Sequence, residues 1–128
     1  MDGKTLPLLD SAALERLRDE VDDTEDIWKV FVRNFIRMLP DRAEKVRLTL
    51  TTGDLPGALD AVLSLKSSSQ MVGAERLAEF ATDLERSLRV DTHYAEPARL
   101  LPQLAAENLA KITRCGRQTQ DLLLKYVA

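Results

Sequence analysis

The sequence predicts an all-α protein, an antiparallel up-and-down four-helix bundle with an additional short N-terminal helix. Two observations favour this class: apolar residues recur at helical spacing along most of the chain, and strand signals are scarce. The chain has 128 residues, of which 45% are hydrophobic and 30% are charged, a composition typical of a helix-rich globular protein. That length suits one core, so we expect residues 1–128 to form a single helical domain.

The first predicted helix is short and amphipathic. Asp10 or Ser11 can cap it, because their side-chain oxygens can accept hydrogen bonds from first-turn N–H groups. Leu14, Leu17 and Val21 follow at helical spacing and would form its apolar side. We expect this helix to act as a cap on the bundle.

The second predicted helix is long and contains Pro40. It begins at Asp23 or Thr24, and Gly53 ends it. Because proline has no N–H and crowds the preceding turn, we expect a kink or a loosening near Leu39. The predicted packing residues are Ile27, Trp28, Val30, Phe31, Phe35 and Met38, continued after the proline by Ala43, Val46 and Leu50.

Glycine and proline separate the last three predicted helices. Asp54 is a good N-cap and Pro56 suits a first turn, so the third helix starts there and continues to Gly73. The fourth helix has its core face at Leu77, Phe80, Ala81, Leu84 and Leu88. After a loop from Val90 to Glu96, the fifth helix begins near Pro97 and extends to Leu123 or beyond. It is lined by Leu101, Ala105, Leu109, Ile112 and Gly116.

The stretch LSLKSSSQ, residues 63–70, gives the third helix two contrasting faces. At about 100° per residue, one face suits the core and carries Ala58, Val62, Leu65, Ser69 and Val72. The other carries Leu63, Lys66, Ser67 and Gln70 at i, i+3, i+4 and i+7. This second face would be exposed and combines an aliphatic side chain with a cation and small polar groups. On the residues alone it is either a solvated face with one stray apolar residue or a surface suited to docking a partner.

The segment GDLPGALDAVLSLKSSSQMVGAERLAEFATDLE, residues 53–85, resembles the core of histidine phosphotransfer (HPt) domains. The signature of that family is approximately His-x-Leu-Lys-Gly-Ser-x-x-x-x-Gly-Ala. The matching residues are Leu65, Lys66, Ser68, Gly73, Ala74, Leu77, Leu84 and Glu85. The resemblance extends upstream through the second helix and so covers most of the chain. It implies the helical-bundle fold and a place in two-component phosphorelay signalling.

Two departures from the HPt signature bear on mechanism. The family's phosphorylated histidine lies two residues before the motif leucine, and Leu63 occupies that position here. A leucine cannot accept a phosphoryl group, whereas phosphorelay needs an imidazole aligned between donor and acceptor. The family's glycine after the lysine is Ser67 here, which is a milder change. In some members a carboxylate one helix away orients the imidazole, and Glu85 is at the corresponding position.

The resemblance therefore implies a phosphorelay protein that binds a response-regulator receiver domain or a sensor histidine kinase without accepting phosphate. Its implied docking residues, none of them catalytic, are Leu63, Lys66, Ser67, Gln70 and Glu85. Two alternatives stay open. One is a structural or dimerising bundle without a receiver partner. The other is a natural phosphotransfer protein whose histidine has been replaced in this sequence.

Composition disfavours several other classes of protein. The net charge of −3 argues against a nucleic-acid surface, and no apolar run is long enough to span a membrane. With one cysteine and no disulfide framework, we expect a cytoplasmic protein in which Cys115 is a buried structural thiol. The only histidine, His93, follows the fourth helix, and we expect a loop or capping role for it.

No enzyme activity, cofactor or metal is predicted. The chain has no Ser-His-Asp set, no phosphate-binding glycine loop and no zinc spacing, and the acidic run DEVDDTED fits no calcium loop. The segment LERLRDEVDD is similar to the first helix of the all-helical chorismate mutases. The spacing departs from that pattern after Val21, however, and no later set of lysines and arginines completes such a site.

Overall fold

The structure is a computed structural model that describes residues 6–21 and 27–127. The predicted helix start at Asp23 or Thr24 therefore lies outside the described residues. The α-helices are α1 (Ser11–Val21), α2 (Ile27–Thr51), α3 (Leu55–Met71), α4 (Glu75–Val90) and α5 (Pro97–Val127), with a 3₁₀ turn at Asp91–His93. No strand occurs in these two ranges, and the predicted all-α class is confirmed.

The four longer helices form the predicted antiparallel bundle. Helices α2 and α4 each pack against both α3 and α5, so α3 and α5 lie diagonally across the bundle. Short α1 packs against α2 and α3 as the additional N-terminal helix, with Leu14 and Leu17 buried. Among the helices described, none combines the length and the apolar character needed to cross a membrane.

The core contains the predicted faces of the last three helices. On α3 and just after it, Ala58, Val62, Leu65, Ser69 and Val72 are all buried. The buried residues of the predicted faces on α4 and α5 are Leu77, Ala81, Leu84, Leu88, Leu101, Ala105, Ile112 and Gly116. Phe80 and Leu109 are half-buried and pack against this core.

The predicted core face of α2 is wrong along the first half of the helix. Ile27, Val30, Phe31 and Met38 are exposed, and Phe31 keeps 40% of its surface in solvent. A spacing of four residues advances about 40° around a helix at each step, so residues 27, 31 and 35 do not share one narrow face. The residues of α2 that reach the core are Trp28, Val32, Phe35, Leu39, Val46 and Leu50.

Helix α2 continues through Pro40 because a side chain on α5 replaces the hydrogen bond that proline cannot donate. The carbonyl of Ile36, four residues before Pro40, has no N–H partner in the helical ladder. Gln120 Nε2 donates to that carbonyl oxygen over 2.8 Å. This bond joins α2 to α5 and satisfies an otherwise unpaired backbone group.

The turn between α3 and α4 depends on Gly73. Its φ of 73° lies in the left-handed region, which glycine adopts at little cost. The backbone N–H of Asp10 donates to the Gly73 carbonyl over 2.7 Å, which ties the start of α1 to this turn. A Cβ at position 73 would lie 2.6 Å from the Asp10 carbonyl oxygen, so a side chain would force the two segments apart.

We expect Gly73→Ala to lower the free energy of unfolding by about 1–3 kcal/mol, because it combines backbone strain with that clash. Gly116→Ala is the matched control, since its Cβ would meet only the Leu39 side chain, at 3.6 Å or more. Within a helix, that substitution should stabilise the protein by up to ~1 kcal/mol. Urea unfolding of both variants checks this, and a Gly73→Ala protein as stable as the parent would contradict it.

Candidate docking site

The start of α3 is fixed by a side-chain cap. The Asp54 carboxylate accepts a hydrogen bond from the Gly57 N–H, with an N–O distance of 3.1 Å. Pro56 lies in the first turn, where the missing N–H costs little. Local sequence therefore sets where the helix begins, and burial of its core face sets its rotation.

That rotation turns the predicted docking face of α3 outward. Ser67 and Gln70 are exposed, whereas Leu63 and Lys66 are half-buried. These four side chains thus lie on the side of α3 away from the core, as the helical spacing predicts. Their role in docking stays a prediction.

Lys66 and Glu85 link α3 to α4 through an ion pair. Lys66 Nζ lies 2.7 Å from Glu85 Oε1, and Arg89 Nε donates to Glu85 Oε2 over 2.9 Å. Only 14% of the Glu85 side chain and 25% of the Lys66 side chain are exposed, so this pair is shielded from solvent more than a typical surface pair. The carboxylate holds the lysine ammonium at the edge of the docking face.

The same contacts shift the titration of Glu85. The hydrogen bond from Lys66, followed by the one from Arg89, holds the pKa of this carboxyl below its usual value of 4.5, although partial burial acts in the opposite direction. Glu85 is thus a stable anion at neutral pH. It fixes the Lys66 cation in place, and Arg89 binds its second oxygen.

The three consecutive serines of α3 have three different environments. Ser67 is exposed. Ser68 Oγ donates back to the carbonyl oxygen of Ser64 over 2.7 Å, so its hydroxyl is satisfied within the helix. Ser69 is fully buried, and its hydroxyl has no hydrogen-bond partner among the described residues. The run is therefore not a uniform polar stripe: it passes from the docking face into the core.

Sequence reasoning missed two arginines beside this face. Arg89 was detectable, because it lies four residues after Glu85 on the same helix. Arg42 contacts the hydroxyl of Ser64 across the α2–α3 boundary, with a distance of 3.4 Å from its Nε to Oγ. No sequence spacing relates those two residues, so only the packing of α2 on α3 reveals their contact.

A shallow apolar depression continues the docking face towards α1. Phe31 of α2 and Met71 of α3 line it together with Gln70 and Leu17. Sequence analysis places Phe31 in the core, and its exposure instead adds an aromatic surface next to Gln70. Exposed apolar side chains beside polar ones are typical of surfaces that contact other proteins.

The histidine and the cysteine of the chain lie away from the docking face. His93 ends the 3₁₀ turn after α4, is exposed, and contacts Tyr94 edge to face with ring centroids 6.5 Å apart. Cys115 is buried as predicted, and burial raises the pKa of its thiol, with Thr119 Oγ1 nearby. Residues 6–21 and 27–127 contain no group of three or more His, Cys, Asp or Glu side chains that could hold a metal ion.

The fold and site define an all-α bundle that exposes a mixed apolar and polar face on its second long helix. The Hpt domain family model matches residues 30–118, so the chain belongs to the Hpt domain family. The bundle is similar to the crystal structure of histidine-containing phosphotransfer protein B (HptB) from Pseudomonas aeruginosa PAO1. The TM-score is 0.77, the sequence identity is 24%, and the match covers 96% of each chain. A search of curated proteins returned no match.

Membership of this family makes the chain a phosphorelay protein of HPt type. Proteins of the family are phosphotransfer carriers rather than enzymes, and they interact with two-component kinases and response regulators.

The unpaired hydroxyl of Ser69 generates a stability prediction. Removing a buried hydroxyl that lacks a partner relieves its desolvation cost, so we expect Ser69→Ala to stabilise the protein by about 1–2 kcal/mol. Ser68→Ala is the matched control, since it has the same gain in helix propensity but loses a satisfied hydroxyl. Urea unfolding should show the larger gain for Ser69→Ala, and a net loss there would mean that the hydroxyl has a partner in solution.

The lowered pKa of Glu85 predicts a specific dependence of stability on pH. Since the folded-state pKa lies below 4.5, the carboxylate stabilises the fold above pH 4.5, and this contribution disappears as pH falls through the folded pKa. We expect Glu85→Gln to be less stable than the parent at pH 7 and to approach it in acid. Glu44→Gln is the control, because the Glu44–Arg47 pair is exposed and contributes little. A Glu85→Gln deficit that is constant from neutral to acidic pH would exclude this account.

Proposed function

We propose that residues 1–128 form a single HPt-like domain that binds the receiver domain of a response regulator, or a sensor histidine kinase, without accepting phosphate. The observation that carries this proposal is the content of the outward face of α3. It presents Leu63 beside a lysine that Glu85 holds, and no imidazole. This face therefore has residues that suit docking but no group that can accept a phosphoryl group.

The absence of phosphoacceptance follows from chemistry. In the HPt signature, histidine stands two residues before the motif leucine, the position that Leu63 occupies in this chain. A leucine side chain has no lone pair to attack a phosphoryl group. The only histidine of the sequence is His93, which lies in the turn between α4 and α5 and has no lysine three residues after it.

Docking is supported by what the face retains. A partly exposed apolar side chain surrounded by polar ones can contact a partner, while the polar rim excludes water. Leu63 supplies the apolar centre, and Ser67 and Gln70 supply small polar neighbours. Lys66 adds a positive charge at a fixed position, which suits the acidic surface around a receiver's phosphorylated aspartate.

A receiver titration tests the proposal. Amide resonances of the labelled protein are followed as receiver domains encoded in the same genome are added, with and without a phosphate mimic. We expect perturbations centred on Leu63, Lys66, Ser67 and Gln70. Lys66→Ala should weaken this binding about tenfold, and Arg114→Ala, which removes an exposed cation of α5 on the far side of the bundle, should leave it unchanged.

Failure of every receiver and kinase to perturb this face would reject docking. It would leave the second candidate, a structural or dimerising bundle without a receiver partner. Transfer of radiolabelled phosphate from a phosphorylated receiver to the unmodified protein would reject the claim that it does not accept phosphate.

We expect Leu63→His to gain phosphate from a phosphorylated receiver, because the new imidazole would have Lys66 three residues after it. Ser67→His is the matched control: it lies one turn further along the same face, but Gln70 stands three residues after it. Labelling of Leu63→His alone would also fit a natural phosphotransfer protein whose histidine has been replaced in this sequence. Equal labelling of both variants, or none of Leu63→His despite receiver binding, would contradict the assigned position.

A further inference from the structure

A groove lies between α2 and α5, away from the docking face of α3. Its cavity volume is about 290 Å³, and its floor is apolar. The floor residues are Leu39, Ala43, Leu77, Leu109, Ile112 and Gly116. Arg47 of α2 and Arg117 of α5 lie on its rim, with Glu44 and Gln120. An apolar floor with charged edges is an arrangement that binding grooves share.

Small side chains create this groove. Gly116 faces Leu39 across the α2–α5 boundary with no side chain of its own, and Ala43 adds only a methyl group one turn further along α2. Leu77 of α4 closes the bottom of the groove from the core, where it is fully buried. The groove depends on how α2 and α5 are aligned. The Gln120–Ile36 hydrogen bond fixes that alignment nearby.

The two helices that border the groove are basic in an acidic protein. Helix α2 contains six lysines and arginines against two acidic residues, and α5 contains five against two. The whole chain nevertheless has a net charge of −3. Arg47 is held along the rim by Glu44, whereas Arg117 forms no ion pair within residues 6–21 and 27–127. The groove lining itself has two arginines and one glutamate, so it has a small excess of positive charge, which favours an anionic partner.

The groove is elongated. Its lining extends from residue 39 to residue 47 on α2 and from residue 109 to residue 120 on α5. At 1.5 Å per residue, these stretches are about 12 Å and about 16 Å long, which matches two to three turns of a helix. A compact small molecule would not need that length, but an amphipathic helix laid along the groove would.

We propose that the α2–α5 groove docks an amphipathic helix of a partner protein that has an apolar stripe flanked by acidic residues. The apolar side chains of that helix contact Ala43 and Leu109, which are partly exposed residues of the groove lining. Its carboxylates pair with Arg117 and share Arg47. Since α3 and α5 are diagonal in the bundle, this partner and a receiver on α3 occupy different sides of the molecule.

Selection from a displayed library of peptides of about 12 residues tests the chemistry of the occupant directly. The probe is the full chain, immobilised through its N-terminus. We expect enriched peptides to have apolar residues at i, i+3 or i+4, and i+7, with glutamate or aspartate beside them. Titration of an enriched synthetic peptide should perturb amides of Ala43, Ile112 and Gly116, with an affinity that falls as ionic strength rises.

Three substitutions test whether the peptide binds in the α2–α5 groove. Arg117→Glu should weaken peptide affinity about tenfold to a hundredfold, since a charge-assisted pair is lost and a like charge is added. Arg47→Glu should weaken it as well, whereas Arg86→Glu should not. Arg86 is the matched control for Arg47, because both arginines are exposed and pair with an acid three residues earlier on their own helix.

Several outcomes would overturn this proposal. They are no enrichment, enrichment of peptides without acidic residues, or peptide affinity that Arg117→Glu leaves unchanged. A groove that responds to decanoate but to no peptide would be a small-molecule site, and concentration-dependent self-association lost in Arg117→Glu would identify a second copy as the occupant. Leu63→Arg should leave peptide binding unchanged. A failure of the groove proposal can therefore be told apart from a failure of the proposed docking on α3.

Discussion

Burial of one face of α3 determines the arrangement of every side chain that its opposite face presents. Each fully buried Val62 or Leu65 contributes about 1.5–3 kcal/mol, whereas a partly exposed ion pair contributes about 1 kcal/mol or less. The apolar residues therefore set the rotation of the helix, and the contact between Lys66 and Glu85 follows from it. Leu63 is turned away from the core for the same reason.

The accuracy of sequence interpretation differs between helices in a physically understandable way. On α3, the cap at Asp54 and the small and apolar residues of a single face leave one rotation that buries Leu65 and Val62, and the structure has that rotation. On α2, apolar residues cover more than half of the circumference in the first three turns. Local periodicity there does not decide whether Trp28 or Phe31 is buried. The choice of Trp28 follows only when the same apolar face must also include Val46 after Pro40.

Contacts between residues that are far apart in the sequence produce no recognisable sequence pattern. Gln120 compensates for Pro40 from 84 residues away, and Arg42 reaches Ser64 across the boundary of two helices. The α2–α5 groove was likewise not predictable. The small residues Ala43 and Gly116 leave a groove only because the two helices are aligned side by side. Periodicity identifies helices and faces, but the register between helices comes from packing.

The bundle and phosphoryl acceptance make separate demands on α3, and this separation explains how the fold tolerates leucine at position 63. Leu63 contributes to the outward side of the helix, while the apolar residues that anchor α3, such as Leu65 and Ala58, lie on the opposite side. Replacing an imidazole by an aliphatic chain on that side leaves the core unchanged. The fold can therefore persist with or without an imidazole at position 63, since it depends on Leu65, whereas the proposed loss of phosphoryl acceptance concerns residue 63 alone. Under the proposed function, the bundle determines which surface is presented, and the side chain at position 63 determines whether that surface can accept phosphate.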